Sequence, residues 1–206
     1  MADALRHRGP DGEGVYSNGA VALHHKRLAV IDPQGGAQPM IVDEVAVAFN
    51  GEIYNYVELR DELVKLGHQF RTRSDTEVLL RAWLEWGEAA IARFNGMFAF
   101  VLHDRRQRRV IAARDHFGIK PLYWMRLGQS LWFGSEIKAL LRHPEAPRAL
   151  DPVAMEDYLS LQFVLGERTM FEGISKIEPA HYLRIDTATL DVSVHRYWEP
   201  DFNHVE

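Results

Sequence analysis

The sequence predicts one α+β domain, a helical layer packed on antiparallel strands, and three observations carry that prediction. Two capped segments with helical apolar spacing follow one another in the middle of the chain, from Asn55 to Gly67 and from Ser74 to Gly87. Short apolar runs separated by turn residues occupy the rest. Finally, the 206 residues contain no internal repeat and no low-complexity linker, so although about 150 residues per domain would leave room for two small units, nothing divides the chain.

Composition narrows the function classes. Hydrophobic residues make up 47% and charged residues 26%, the balance of an ordinary globular protein and not of a disordered one. No window approaches the roughly twenty consecutive apolar residues a membrane helix needs, so no membrane partner is expected. A formal net charge of −5 gives no basic excess, and nucleic acid is not an expected partner either. The sequence contains no cysteine, which excludes a disulfide scaffold, a zinc-thiolate centre, an iron–sulfur cluster and a cysteine nucleophile among these residues. The opening M-A-D-A-L-R-H-R-G has no apolar core of a signal peptide, and a cytoplasmic setting is the expectation.

The elements follow in order. Gly9 to Gly14 and Gln34 to Pro39 are glycine-rich and read as loops or turns, with short strands predicted between them at Val21 to His25 and Leu28 to Ile31. Val45 to Phe49 is a compact apolar strand ending in Asn50-Gly51, a turn signal. Asn55 with Glu58 reads as a capping pair for a helix whose Tyr56, Leu59, Leu63 and Leu66 share a face and which Gly67 stops. Ser74 with Glu77 gives a second capping box, for a helix that runs through Trp86 to Gly87. Met97 to Leu102 and Val110 to Ala113 read as the arms of a hairpin around Asp104 to Arg109. Pro121 to Met125 and Ser130 to Phe133 form another around Gly128. Asp151-Pro152 opens a helix through about Leu161, and Ala180 to Ile185 with Val192 to Trp198 close the chain as a strand pair.

Residues able to carry chemistry are few. There is no phosphate-cradling glycine loop of the G-x-x-x-x-G-K-[ST], G-x-G-x-x-G or S-G-G-x-D-S type, so no ATP or dinucleotide site is expected in this chain. No metal is expected, since adjacent strand residues such as His24 and His25 point to opposite faces. The basic run R-R-Q-R-R from Arg105 to Arg109 reads as a solvated hairpin tip. More informative are polar residues at predicted element ends: Arg27 at the start of a strand, Asn50-Gly51-Glu52 at the close of another, and Asp75 in the first turn of a helix. A guanidinium and a carboxylate together can clamp the α-carboxylate and α-ammonium of an amino acid. An asparagine amide beside a glycine N–H can form an oxyanion hole. Taken singly, each residue has a plainer reading: Asn-Gly as a turn, Asp75 as a charge favoured at a helix N-terminus.

Eight strings, in order, resemble the glutaminase domain of glutamine-hydrolysing asparagine synthetases, a branch of the class II glutamine amidotransferases. They are R-H-R-G-P-D (Arg6 to Asp11), H-K-R-L-A-V-I-D (His25 to Asp32), G-A-Q-P (Gly36 to Pro39), F-N-G-E-I-Y-N (Phe49 to Asn55), S-D-T-E-V (Ser74 to Val78), F-N-G-M-F-A-F (Phe94 to Phe100), R-D-H-F-G-I-K-P-L-Y (Arg114 to Tyr123) and G-S-E-I-K-A-L (Gly134 to Leu140). The resemblance implies an N-terminal-nucleophile hydrolase fold, a four-layer α/β/β/α sandwich with two antiparallel sheets. It implies that glutamine binds with its α-carboxylate on Arg27 and its α-amino group near Asp75. Leu28, Ala29, Val30, Ile31 and Glu52 would complete the pocket, and Asn50 and Gly51 would form the oxyanion hole. The nucleophile in that family is an N-terminal cysteine, on a short strand for which this sequence has no counterpart, so the chain is expected to be inactive alone and to resemble a fragment at both ends. The expected partners are glutamine and a C-terminal synthetase domain that takes ammonia, ATP and magnesium, with a homodimer left open. A non-catalytic amino-acid-binding or interaction module of the same fold is the alternative.

Overall fold

In the computed structural model, which describes residues 1–202, the two central helices lie together on one face of a six-stranded antiparallel sheet. They are α1 (Tyr56–Lys65) and α2 (Asp75–Trp86). The sheet is built from β3 (Met40–Val42), β4 (Val45–Ile53), β5 (Gly96–Asp104), β6 (Arg109–Arg114), β10 (His181–Asp186) and β11 (Val192–Arg196), in the order β11-β10-β6-β5-β4-β3. Its centre is the β4–β5 ladder, nine paired residues from Val45 opposite Asp104 to Ile53 opposite Gly96. Because side chains alternate along a strand, Val45, Val47, Phe49 and Ile53 enter the core under the helices with Phe98, Phe100 and Leu102. Ala99 and Val101 face the other way, into a second core with Ala112, Leu122 and Ile177.

That second core separates the large sheet from a layer of two smaller antiparallel sheets. One is the hairpin β1 (Gly12–Ser17) and β2 (Ala22–Arg27). The other is ordered β8-β7-β9, from β7 (Tyr123–Leu127), β8 (Ser130–Gly134) and β9 (Ile174–Lys176). A third apolar cluster, Met125, Leu140, Ala146 and Ile174, covers the outer face of this sheet with the short helix α3 (Ile137–Leu140). The fold is thus an α+β sandwich of the expected class, with a last helix, α4 (Pro152–Leu161), beyond it. Between the β1–β2 hairpin and β8 the two small sheets leave an apolar cavity of about 750 Å³, lined by Leu23, Ala99, Val101, Leu131 and Phe133 among others. Among the described residues no helix is long and apolar enough to cross a membrane.

Several local expectations are corrected. Leu28 to Ile31 is not a strand: β2 already runs through Arg27, and the chain then leaves the sheet with Leu28 61% and Val30 57% exposed. Gly12 to Gly14 belong to β1 because β2 supplies their ladder partners, and Met40–Val42 pairs with β4 as a strand the reading missed. Asn50-Gly51 is not a turn. The β5 partner continues beside it, and β4 carries on to Ile53. Asn55 makes no side-chain cap; its amide donates to the Arg93 carbonyl (3.0 Å) and its Oδ1 accepts from the Asn95 N–H (2.9 Å), which ties α1 to the start of β5. Ser74 does cap α2, accepting from the Thr76 N–H at 3.2 Å, while Glu77 reaches back one turn further, to the N–H groups of Arg71 and Thr72. The last strand stops at Arg196.

The R-D-H-F-G-I-K string is explained as a buried turn. The Asp115 carboxylate, fully buried, accepts from the N–H groups of Phe98, Phe117, Ile119 and Lys120 at 2.9–3.1 Å. Arg114 donates to the carbonyls of Gly118, Lys120 and Ile177. Asp115→Ala strands several buried donors at once and is expected to cost about 3 kcal/mol or more of stability, read as a fall in the urea midpoint.

Candidate functional site

A polar cleft of about 230 Å³ opens where the end of β2, the second half of β4 and the N-terminus of α2 meet. Arg27, Leu28, Val30, Ile31, Asn50, Gly51, Glu52 and Asp75 all line it, so tertiary packing gathers residues separated by up to 48 positions in sequence. Ala29 does not line it; its N–H instead donates to the Asp11 carboxylate at 2.9 Å, fastening the loop from behind.

Each wall has a local cause. Arg27 is the last residue of β2, and its guanidinium donates to the carbonyls of Pro33 (2.7 Å) and Asp32 (2.8 Å). A guanidinium has five N–H donors, so these two bonds leave it able to grip an anion as well. Asp75 is buried in the first turn of α2, where one carboxylate oxygen accepts from the Ile53 N–H at 3.1 Å and the other from the Ser74 hydroxyl at 3.4 Å. Burial raises its pKa above the ordinary 3.8, against the pull of those hydrogen bonds. Asn50 projects from β4 with a buried Nδ2 that has no partner, a donor already stripped of water. Beside it Gly51 sits at φ 153°, and a Cβ there would lie 2.1 Å from the Met97 carbonyl oxygen, so no side chain fits.

Three supports were not assigned roles from the sequence. Gln38 Oε1 accepts from the Phe49 N–H at 2.7 Å while its Nε2 reaches the Thr76 hydroxyl at 3.4 Å, bridging β4 to α2. His25 sets its Nε2–H on the Phe49 carbonyl at 3.0 Å, and burial lowers its pKa, which favours the neutral ring. Asp32 holds the loop that follows Arg27. Its signal was present in Asp-Pro-Gln-Gly, a type I turn pattern with Asp first, Pro second and Gly fourth. The basic run is dispersed over carboxylates: Arg106 on Asp104 and Arg109 on Glu88. Among the described residues no group of three or more histidines, aspartates or glutamates is placed to hold a metal ion.

Residues 1–198 match the family model of the glutamine amidotransferase domain. The chain belongs to the glutamine amidotransferase domain family. This amidotransferase domain is 42% identical over 203 residues to an asparagine synthetase (glutamine-hydrolysing) of Bacillus subtilis, covering 96% of the chain and 33% of that protein. With an asparagine synthetase of Arabidopsis thaliana it shares 52% identity over 144 residues, covering 68% of the chain and 24% of the relative. The domain therefore spans about a third or less of these two relatives. Among solved structures, the glutamine phosphoribosylpyrophosphate amidotransferase of B. subtilis is similar at a TM-score of 0.60 and 21% identity, covering 87% of this chain and 35% of that one. A second structure, of an allosteric regulatory enzyme of purine biosynthesis, gives 0.62 and 22%, with the same coverage. At such identities these two likenesses speak for the fold.

The raised pKa of Asp75 has a direct consequence for any cationic ligand. An ammonium beside the carboxylate favours its charged form and lowers that pKa, so binding expels a proton. Affinity for an amino acid is expected to fall as pH drops through the raised value, with proton release in that window, measurable by calorimetric titration in buffers of different ionisation enthalpy.

Proposed function

We propose that this domain binds glutamine and supplies the glutamine site of an enzyme resembling the asparagine synthetases. The observation that carries this reading is the meeting of Arg27, Asp75 and the unpartnered Asn50 amide in one cleft. Arg27 takes the α-carboxylate and Asp75 the α-ammonium, which fixes the side-chain carboxamide toward β4. Asn50 Nδ2 and the Gly51 N–H then stabilise the oxygen that gains charge when a nucleophile adds to the carboxamide carbon. His25 and Gln38 hold the β4 backbone in place for that step.

The attacking thiol is not among these residues, because the sequence has no cysteine. We propose that it comes from a segment outside them, entering the apolar cavity that adjoins Asn50 between the hairpin and β8. The thiol adds to the carboxamide carbon, ammonia leaves, and water cleaves the thioester to give glutamate. In this reading ammonia passes to a synthetase domain outside these residues, which would use ATP and magnesium to activate an acceptor such as aspartate. These residues contain no glycine loop suited to ATP.

Two measurements test this. Titration with L-glutamine should give saturable binding that Arg27→Ala weakens by about tenfold or more, as expected for a lost charge-assisted pair. Chain that binds neither glutamine nor glutamate would refute the reading. Ammonia release by the chain should stay at background, and turnover that survives repurification would refute the external nucleophile. In a form extended to carry an N-terminal cysteine, Asn50→Ala should raise the acylation barrier by about 2.7–4 kcal/mol. A binding-competent extended form without turnover would favour the binding module.

A further inference from the structure

We propose that Asp32 is a positioning residue for amino-acid binding: its carboxylate fastens the loop after β2 to the N-terminus of α2 and so sets the spacing between Arg27 and Asp75. The proposal rests on the glutamine-binding reading and adds to it the device that holds the two ends of the clamp in register.

Arg27 and Asp75 stand on different elements, and the backbone between them includes a twelve-residue loop, 28–39, that belongs to no strand or helix. Apolar burial does not anchor this loop, since Leu28 and Val30 are 61% and 57% exposed. Polar ties hold it: the Ala29 N–H on Asp11 and Arg27 on the Pro33 carbonyl are two, and four more converge on Asp32. The Asp32 carbonyl accepts from Arg27 Nη2 at 2.8 Å and from the Gly36 N–H at 2.9 Å. Its carboxylate accepts from the Gly35 N–H at 2.9 Å, closing the turn, and from the Arg73 N–H at 2.8 Å. Arg73 directly precedes Ser74, the cap of the helix that begins with Asp75. A continuous chain of contacts therefore runs from the Arg27 guanidinium through Asp32 to the residue two positions before Asp75.

The packing around this joint is close enough to transmit position. A Cβ on Gly35 would fall 2.2 Å from an Asp32 carboxylate oxygen, and one on Gly36 would fall 2.5 Å from Arg27 Nη2. Asp32 itself adopts φ 46°, a left-handed conformation that Asp tolerates better than most side chains. The Arg73 and Gly35 N–H groups also lower the Asp32 pKa below 3.8, so the carboxylate that makes the tie stays charged near neutral pH.

The test compares the chain with Asp32→Asn and Asp32→Gly. Asparagine keeps the left-handed preference but can accept only one of the two N–H bonds, and glycine accepts neither while fitting φ 46° without strain. L-Glutamine and L-glutamate are titrated calorimetrically, thermal unfolding is recorded, and hydrogen exchange is followed over residues 27–36. The expected result is that Kd rises about tenfold or more for both amino acids. Exchange should speed up within 27–36, while the unfolding midpoint stays that of the parent. Parent-like Kd in both variants would overturn the proposal, as would a loss of affinity that tracks a matching fall in the unfolding midpoint, which would make the role merely structural. A parent chain that binds neither amino acid would instead refute the glutamine reading itself and this inference with it.

Discussion

The nine-residue pairing of β4 with β5 is the constraint on which the rest of the molecule depends. It gives one strand two chemically different faces. Val45, Val47, Phe49 and Ile53 are buried beneath α1 and α2, and that burial pins the register, because a slip of one residue would turn them all outward. With the register fixed, Asn50 has no choice but to face away from the helices. Gly51 beside it must be glycine, because the Met97 carbonyl fills the space of a side chain. The Asn50-Gly51 end of the cleft is a by-product of how the core is packed.

The other end of the cleft is built by hydrogen bonds that replace water where apolar packing is thin. Asp75, Glu77, Asp32, Asp115 and Gln38 each accept from backbone N–H groups of a segment distant in sequence or of a turn that no ladder satisfies. A buried carboxylate surrounded by N–H donors is stable, whereas the same donors left unpaired would each be costly. This accounts for the density of polar residues in strings such as R-D-H-F-G-I-K and S-D-T-E-V: most serve the backbone, and a minority face the cleft. Asn50 differs from these five, since its buried Nδ2 donor has no partner.

Legibility in the sequence followed the range of the forces involved. Helices α1, α2 and α4 were readable because their signals are local: apolar spacing, the serine and aspartate caps, and the terminal glycines. Hairpin β5–β6 was readable for the same reason, as two apolar arms around a charged turn. Asn50-Gly51 was misread because the dipeptide's local preference for a turn was overridden by a partner strand more than forty residues away. Leu28 to Ile31 was misread in the opposite sense: an apolar run that looked like a strand has no edge to pair with once β2 ends. Asn55 left its helix-capping role for a contact forty residues on.

By itself the sequence determined which side chains exist to do chemistry, the mixed helical and antiparallel character of the fold, and, through eight ordered strings, the family. It named Arg27, Asn50, Gly51, Glu52 and Asp75 as a set. Tertiary structure alone decided that these residues share one cleft, that Ala29 is tied outside it to Asp11, and that Asp32 links the loop after β2 to Arg73 at the start of α2. The reason is physical: a side chain's chemistry is a property of the residue, whereas convergence depends on strand register and on backbone hydrogen bonds between segments that the sequence holds far apart.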